Sequence, residues 1–257
     1  MKTLEVLFTP ADFAGLKRRN LDDTLCVVFD VFRATSSMLA ALANGAAAII
    51  PVAEISEALD IRQKDPRVLL AGERDGLRIP AALTGGVDFD LGNSPLEFTR
   101  DRVAGKAIVM TTTNGTRALR ACAHAKTVLI ASFSNLKATA EWITRARPDN
   151  VLVVCSGTFE EAAYEDVLAA GALCELLWNA CAQTEVSDAA LMARRLYLEA
   201  QPNLAAAAAE SRNGRRLLAR PALSGDVPFS LRRDVFHFAA ALREDGTVTL
   251  LQPSAVA

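Results

Sequence analysis

The stretch that decides the fold is residues 25–52, LCVVFDVFRATSSMLAALANGAAAIIPV. An apolar run ends in Asp30, and the turn Val31-Phe32-Arg33-Ala34 follows. Small and apolar residues then fill 35–44 up to Gly45, and a second apolar run covers 47–52. The outer runs are apolar throughout rather than alternating, which predicts strands covered on both faces. The middle run opens on Thr35-Ser36-Ser37 and closes on a glycine suited to a helix C-cap, so it predicts a helix. The stretch is therefore strand, helix and strand, and alternation of this kind predicts a largely parallel sheet between helix layers.

The same alternation extends outward. Strands are predicted over 4–8, 67–71, 107–112, 127–131 and 151–155, and helices over 55–64, 116–124, 135–145 and 161–181. Such a pattern predicts an α/β fold, a three-layer α/β/α arrangement with a mostly parallel sheet. Beyond residue 185 the chain reads as almost wholly helical, with a last strand over 247–251. Shifting the chain by 81 positions lays 27–54 over 108–135 without a gap, with Val28/Val109, Thr35/Thr116, Ala40/Ala121 and Ile49/Ile130 identical. The expectation is one folded unit over 1–257, built from two similar halves, roughly 1–105 and 106–257, with a helical C-terminal region.

Composition narrows the function classes. Of 257 residues 51% are hydrophobic, enough to pack a core, which excludes a disordered tail. A net charge of −2 lacks the basic field of a dedicated nucleic-acid binder. Residues 1–8 include Glu5 and do not read as a secretion signal, and the most apolar window, 38–50, is broken by Asn44-Gly45. The five cysteines lie in apolar stretches without C-x-x-C spacing, as free thiols of a reduced protein do. A cytoplasmic protein with no membrane or nucleic-acid partner is expected. The alanine-rich stretch 187–209 suits a close-packed helix pair within or between subunits, so a homo-oligomer is compatible with the sequence.

In open α/β sheets ligands bind beyond the carboxyl ends of strands. There, Asp30 to Ser37 bring a carboxylate, a guanidinium (Arg33) and three hydroxyls to a helix start. Asp30 could hold Mg²⁺ and Arg33 could fork onto an anion; equally, the two could pair and Thr35 could serve as a cap. The related turn Thr111-Thr112-Thr113-Asn114-Gly115-Thr116-Arg117 is costly to bury unless each hydroxyl finds a partner. Its following helix start suits a phosphate, although no Walker pattern is present. Gly72-Glu73-Arg74 closes a further strand. In Gly92-Asn93-Ser94-Pro95, capping accounts for Ser94 and Pro95 and leaves Asn93 as a binding candidate. Glu165-Asp166 opens a long helix, where acids also favour the helix dipole. Other chemistries lack their residues: Glu161 stands where a Cys155 phosphatase loop needs arginine, His124 and His237 are isolated, and no G-x-S-x-G occurs.

Taken in order, Asp30-Val31-Phe32-Arg33-Ala34-Thr35-Ser36, Gly72-Glu73-Arg74, Gly92-Asn93-Ser94-Pro95, Thr111 to Thr116, Asn135 and Glu165-Asp166 resemble the 2-phosphosulfolactate phosphatase family. The resemblance runs from about residue 3 to about 240 and includes the segment from Ser211 to Leu218; residues 221–230 are longer than the family pattern. It implies an α/β/α fold with two similar halves and a Mg²⁺-dependent phosphatase, of a kind placed in coenzyme M biosynthesis, that converts (R)-2-phospho-3-sulfolactate to (R)-3-sulfolactate and phosphate. By the same resemblance Asp30, Glu73, Glu165 and Asp166 would supply carboxylates for Mg²⁺, with Asp30, Glu73 and Asp166 catalytic in orienting water. Asn93, Ser94, Thr113, Asn114, Gly115 and Thr116, with Thr35, would surround the phosphoryl group. Arg33, Arg74 and Arg117 would meet the sulfonate and carboxylate. Attack by water and attack by Asp30 itself both fit these residues. So do a phosphatase of another small phosphorylated acid and a non-catalytic anion-binding protein, although an acidic cluster suits the last poorly.

Overall fold

The computed structural model describes residues 1–181 and 183–251. Eleven strands form one mixed sheet: β1 (Thr3–Leu7), β2 (Thr24–Phe29), β3 (Ala48–Pro51), β4 (Leu69–Arg74), β5 (Leu77–Arg78), β6 (Ala107–Thr111), β7 (Thr127–Ala131), β8 (Asn150–Cys155), β9 (Glu185–Val186), β10 (Ala240–Leu242) and β11 (Val248–Leu250). Their order is β5-β4-β6-β3-β11-β10-β7-β2-β8-β1-β9. Two parallel blocks result, β4-β6-β3 on one side and β7-β2-β8-β1-β9 on the other. The hairpin β10-β11 joins them, antiparallel to both β7 and β3.

Strands 81 positions apart occupy matching places. Adding 81 to the bounds of β4 gives those of β8, and adding 81 to those of β2 gives 105–110, which overlaps β6 over 107–110. The order interleaves them: β2 lies between β7 and β8, and β6 lies between β3 and β4. The strands on either side of β2 thus come from later in the chain, and β6 separates the two earlier strands β3 and β4.

Counting through the hairpin shows that the two blocks run in opposite senses. Their carboxyl ends nevertheless meet at the turns after β2 and β6, where Asp30 and Ala34 lie against Gly115, and the helices Ala34–Ala43 and Gly115–Cys122 share one core with strands of both blocks. One core holds Cys26 and Val28 of β2, Val128 and Ile130 of β7, and Ile108 and Met110 of β6 against Met38, Leu39, Ala118 and Leu119 of these helices. The first helix is buried from Ala34 to Leu42; its apolar residues pack in the core, and the hydroxyls of Thr35, Ser36 and Ser37 in its first turn find backbone acceptors. On the other face of β2, Leu25, Val27 and Phe29 pack under the helices Leu136–Ala146 and Tyr164–Leu177. Both faces are therefore covered, which explains the unbroken apolar strands.

The alanines permit close helix packing. Tyr164–Leu177 and Asp188–Ala200 pack within the chain so tightly that a Cβ on Gly171 would lie 2.0 Å from the Ala193 carbonyl oxygen. The sequence reading needs correction in three places. The strands of the 25–52 stretch do not lie side by side in one parallel sheet: β2 and β3 fall in the two opposed blocks, because each finds its parallel partners elsewhere in the chain. The helix expected over 161–181 is Tyr164–Leu177 followed by a short 3-10 turn, and the region after 185 also contains β9 and β10. Ala240-Ala241-Leu242 lacks β-branched residues, and its strand state comes from the ladders on either side. Among the described residues no helix is long and apolar enough to cross a membrane.

Candidate active site

The turn after β2 is tied to its own helix. The Asp30 N–H donates to Thr35 Oγ1 (3.0 Å), and that hydroxyl donates to the Asp30 carbonyl (2.9 Å). Ser36 Oγ donates to the Val31 carbonyl and Ser37 Oγ to the Asn93 carbonyl. The three hydroxyls are thus satisfied by backbone. Asp30 Oδ1 accepts the Ala34 N–H at 3.0 Å. Its other oxygen faces Gly115, where a Cβ would lie 2.7 Å from Asp30 Oδ2 and 2.6 Å from the Ala34 Cβ. Glycine at 115 lets the two βα turns touch.

Glu73 clamps the second turn. Its Oε1 accepts the Thr113 N–H (2.8 Å) and hydroxyl (2.9 Å), and its Oε2 accepts the Gly76 N–H (2.7 Å). Gly72, with φ +154°, passes so close to β6 that a Cβ would meet the Thr111 carbonyl at 2.2 Å. Thr116 bonds back to Thr112.

The third wall follows β8. Asp166 Oδ1 accepts the Val31 N–H (2.8 Å), and its Oδ2 accepts the Ser156 hydroxyl (3.1 Å) and the Gly157 N–H (3.3 Å), so this buried carboxylate pins the β2 turn to the β8 loop. Glu165 Oε1 accepts Asn213 Nδ2 at 2.6 Å, and Asn213 also donates to Thr158 Oγ1. Burial pushes the Asp30 carboxyl up to about 6, against the pull of the Ala34 N–H, with Glu73 and Glu165 adding to the rise. Burial raises Glu165 and, more strongly, Asp166, which also feels Asp30. Crowded buried acids hold protons unless a cation joins them.

Two buried acceptor oxygens of this cavity's lining residues have no donor, Asn93 Oδ1 and Asn114 Oδ1, and a third, Glu165 Oε2, belongs to the adjoining cavity that shares Thr158 and Asn213. An unpartnered buried acceptor is costly and marks a place for a cation or a hydrogen-bond donor. Among the described residues no three Asp, Glu, His or Cys side chains form a metal-holding group by themselves. Mg²⁺ does not require one, since it takes one or two carboxylates and completes its shell with water, amide and phosphate oxygens. Asp30 with the unpartnered amide and carboxylate oxygens has that character.

The arginines are distributed differently from the sequence expectation. Arg33 lines the cavity with Asp30, Glu73, Asn93, Thr113 and Asn114. It is buried and paired with Asp226 (Nη1 to Oδ2, 2.8 Å), and it donates to the Gly76 carbonyl at 2.7 Å. Ser94 Oγ donates to the same Asp226, so Ser94 serves that pair rather than the cavity. Arg74 turns back to the Glu73 carbonyl and Thr111 Oγ1, and Arg117 pairs with Glu160 on the surface; neither lines the cavity. The other cavity arginines are Arg216 and Arg220, with Asn213 beside them on the same C-terminal segment. The sequence held a signal for these, the i, i+4 spacing of Arg212, Arg216 and Arg220.

The model of the family described as 2-phosphosulpholactate phosphatase matches residues 13–245. A protein of Caldicellulosiruptor saccharolyticus named probable 2-phosphosulfolactate phosphatase is 43% identical over 181 residues, 69% of this chain and 72% of its own. One of the same name from Caldanaerobacter subterraneus subsp. tengcongensis is 36% identical over 92% of this chain and 95% of its own, and one from Thermotoga maritima is 35% identical over 84% and 88%. With the match spanning nearly the whole of this fold and every turn of the cavity, the chain belongs to the 2-phosphosulfolactate phosphatase family.

Proposed function

We propose that the protein hydrolyses (R)-2-phospho-3-sulfolactate to (R)-3-sulfolactate and phosphate in a Mg²⁺-dependent reaction. The observation that carries this reading is the pair of buried acceptors without donors, Asn93 Oδ1 and Asn114 Oδ1, that line one cavity with a carboxylate held at about 6, with Glu165 Oε2 unpartnered in the adjoining cavity. Asp30, Asn93, Asn114 and Glu165 would hold the ion. When bound, it would neutralise phosphoryl charge and lower the pKa of a water. Asp30 orients the attacking water, whose oxygen bonds phosphorus as the bond from phosphorus to the substrate's C2 oxygen breaks. The proton the water loses balances the one the leaving oxygen gains. Glu73 and Asp166, saturated by backbone and hydroxyl donors, position the Thr113 and Val31 turns rather than touch phosphate. Thr112, Thr113 and Asn114 line the same cavity and would border the phosphoryl group.

Phosphate release from this substrate by EDTA-dialysed protein, with and without added Mg²⁺, tests the reading; no release in either condition refutes it. Chiral phosphate would be released with inversion by direct water attack, and with retention if Asp30 were the nucleophile. Five free, buried cysteines support a reducing, cytoplasmic setting for the reaction.

A further inference from the structure

We infer that Arg216 and Arg220 form the seat of the substrate's sulfonate at the outer end of the cavity. This rests on the reading of the site as a phosphatase of a phosphorylated sulfonic acid, and it adds which residues select that acid.

The inner end of the cavity is acidic and amide-lined, with Asp30 and Asn93 almost fully buried. Arg33, the one arginine of the inner end, has its charge matched by the fully buried Asp226. Arg216 and Arg220 are half-buried and, among the described residues, form no ion pair with a carboxylate. Each makes only a long contact with the Asp75 carbonyl, Arg216 Nη2 at 3.4 Å and Arg220 Nη1 at 3.3 Å. The Asp75 carboxylate also borders the cavity, but it is exposed and within ion-pair distance of neither arginine. Two guanidinium groups with unspent charge therefore face the same space from one segment.

The substrate's chemistry matches this polarity. Its sulfonate stands on the side arm farthest from phosphorus, so a phosphoryl group at Asp30 and Asn114 directs the sulfonate outward. Guanidinium is weakly hydrated and forks onto a pair of acceptor oxygens, which suits the large, diffuse sulfonate better than a lysine would. Phe159, 55% exposed at the rim, lies under Arg216 with its centroid 5.7 Å from Cζ and holds that guanidinium over the opening. A merely structural role, tying the Asp75 loop to the C-terminal segment, would affect all substrates alike. A sulfonate seat affects only those that carry the group.

The test compares (R)-2-phospho-3-sulfolactate with 2-phospholactate, the same skeleton bearing hydrogen in place of sulfonate. The expected result is that the ratio of their kcat/KM values falls about 10-fold in Arg216→Gln or Arg220→Gln and about 100-fold in the double variant, chiefly through KM. Arg216→Lys with Arg220→Lys should recover part of the ratio, since charge returns without the fork. An unchanged ratio, with both substrates slowed equally, overturns the inference while leaving the phosphatase reading in place. Calorimetric titration with 3-sulfolactate and with lactate supplies a readout independent of turnover. If the wild type hydrolyses neither phosphate ester yet binds 3-sulfolactate over lactate, and the double variant loses that preference, the seat stands and the phosphatase reading falls. If the wild type binds the two acids equally, the seat falls.

Discussion

Replacing Asp30 with asparagine should stabilise the metal-free protein while abolishing its activity. The folded protein holds the Asp30 carboxyl at about 6 against an ordinary 3.8, because burial disfavours the charged form. Between these values the folded state binds more protons than the unfolded one, so stability falls as pH rises through the window and the full penalty persists above about 6. At 1.36 kcal/mol per pH unit, the gap corresponds to about 3 kcal/mol. Unfolding entropies near 2.1 cal/mol/K per residue give about 0.5 kcal/mol/K for a chain of this length, so the gain is worth about 6 °C in Tm. Asparagine keeps an Oδ1 to accept the Ala34 N–H, and its amide nitrogen takes the place of Oδ2 against Gly115. Melting curves of EDTA-dialysed wild type and Asp30→Asn at a series of pH values should show the variant higher by several degrees at pH 8 and the difference closing toward pH 4. Added Mg²⁺ should raise the wild type and leave the variant unmoved. A variant that melts below the wild type at pH 8, or a gain that persists at pH 4, would refute the reasoning.

Three other substitutions probe the supports of the site. Gly115→Ala should lose activity and about 1–3 kcal/mol of stability in urea unfolding, since its methyl meets Asp30 Oδ2 and the Ala34 Cβ inside contact distance. Asp226→Asn leaves the buried Arg33 without its countercharge; a loss of about 3–5 kcal/mol is expected by the same measurement. Glu73→Gln keeps one acceptor oxygen and puts an NH2 group either against the Gly76 N–H or against the Thr113 N–H and hydroxyl, costing about 1–3 kcal/mol; phosphate-release kinetics should show kcat falling as the clamp on the Thr113 turn loosens.

The parts of this molecule legible in its sequence are those decided locally. β2, β6 and β8 read as strands because two covered faces demand apolar residues throughout; Asp30, Glu73 and Asn114 stood out as polar residues at or just past strand ends, and Asn93 as the residue of its loop that helix capping did not account for. Period-two alternation also separates Glu73, which points inward, from Arg74, which turns away, so the expectation of a binding role for Arg74 overlooked the pleat. What is decided at long range was not legible. The Arg33 countercharge lies 193 residues away at Asp226, the β10 strand depends on its neighbours, and Arg216 and Arg220 reach the cavity only after the C-terminal segment has folded back over the Asp75 loop.

The interleaving of strands between the halves bears on folding and on ancestry. With β2 held between β7 and β8, and β6 between β3 and β4, neither half can be excised as a stable fragment, since each would leave a gap in its ladder. The central pairings also join residues far apart in sequence, so assembly is slow to nucleate and cooperative once begun. A single-copy ancestor of such a repeat would have been complete only as a strand-exchanged pair, with its two βα turns meeting where Asp30 now touches Gly115.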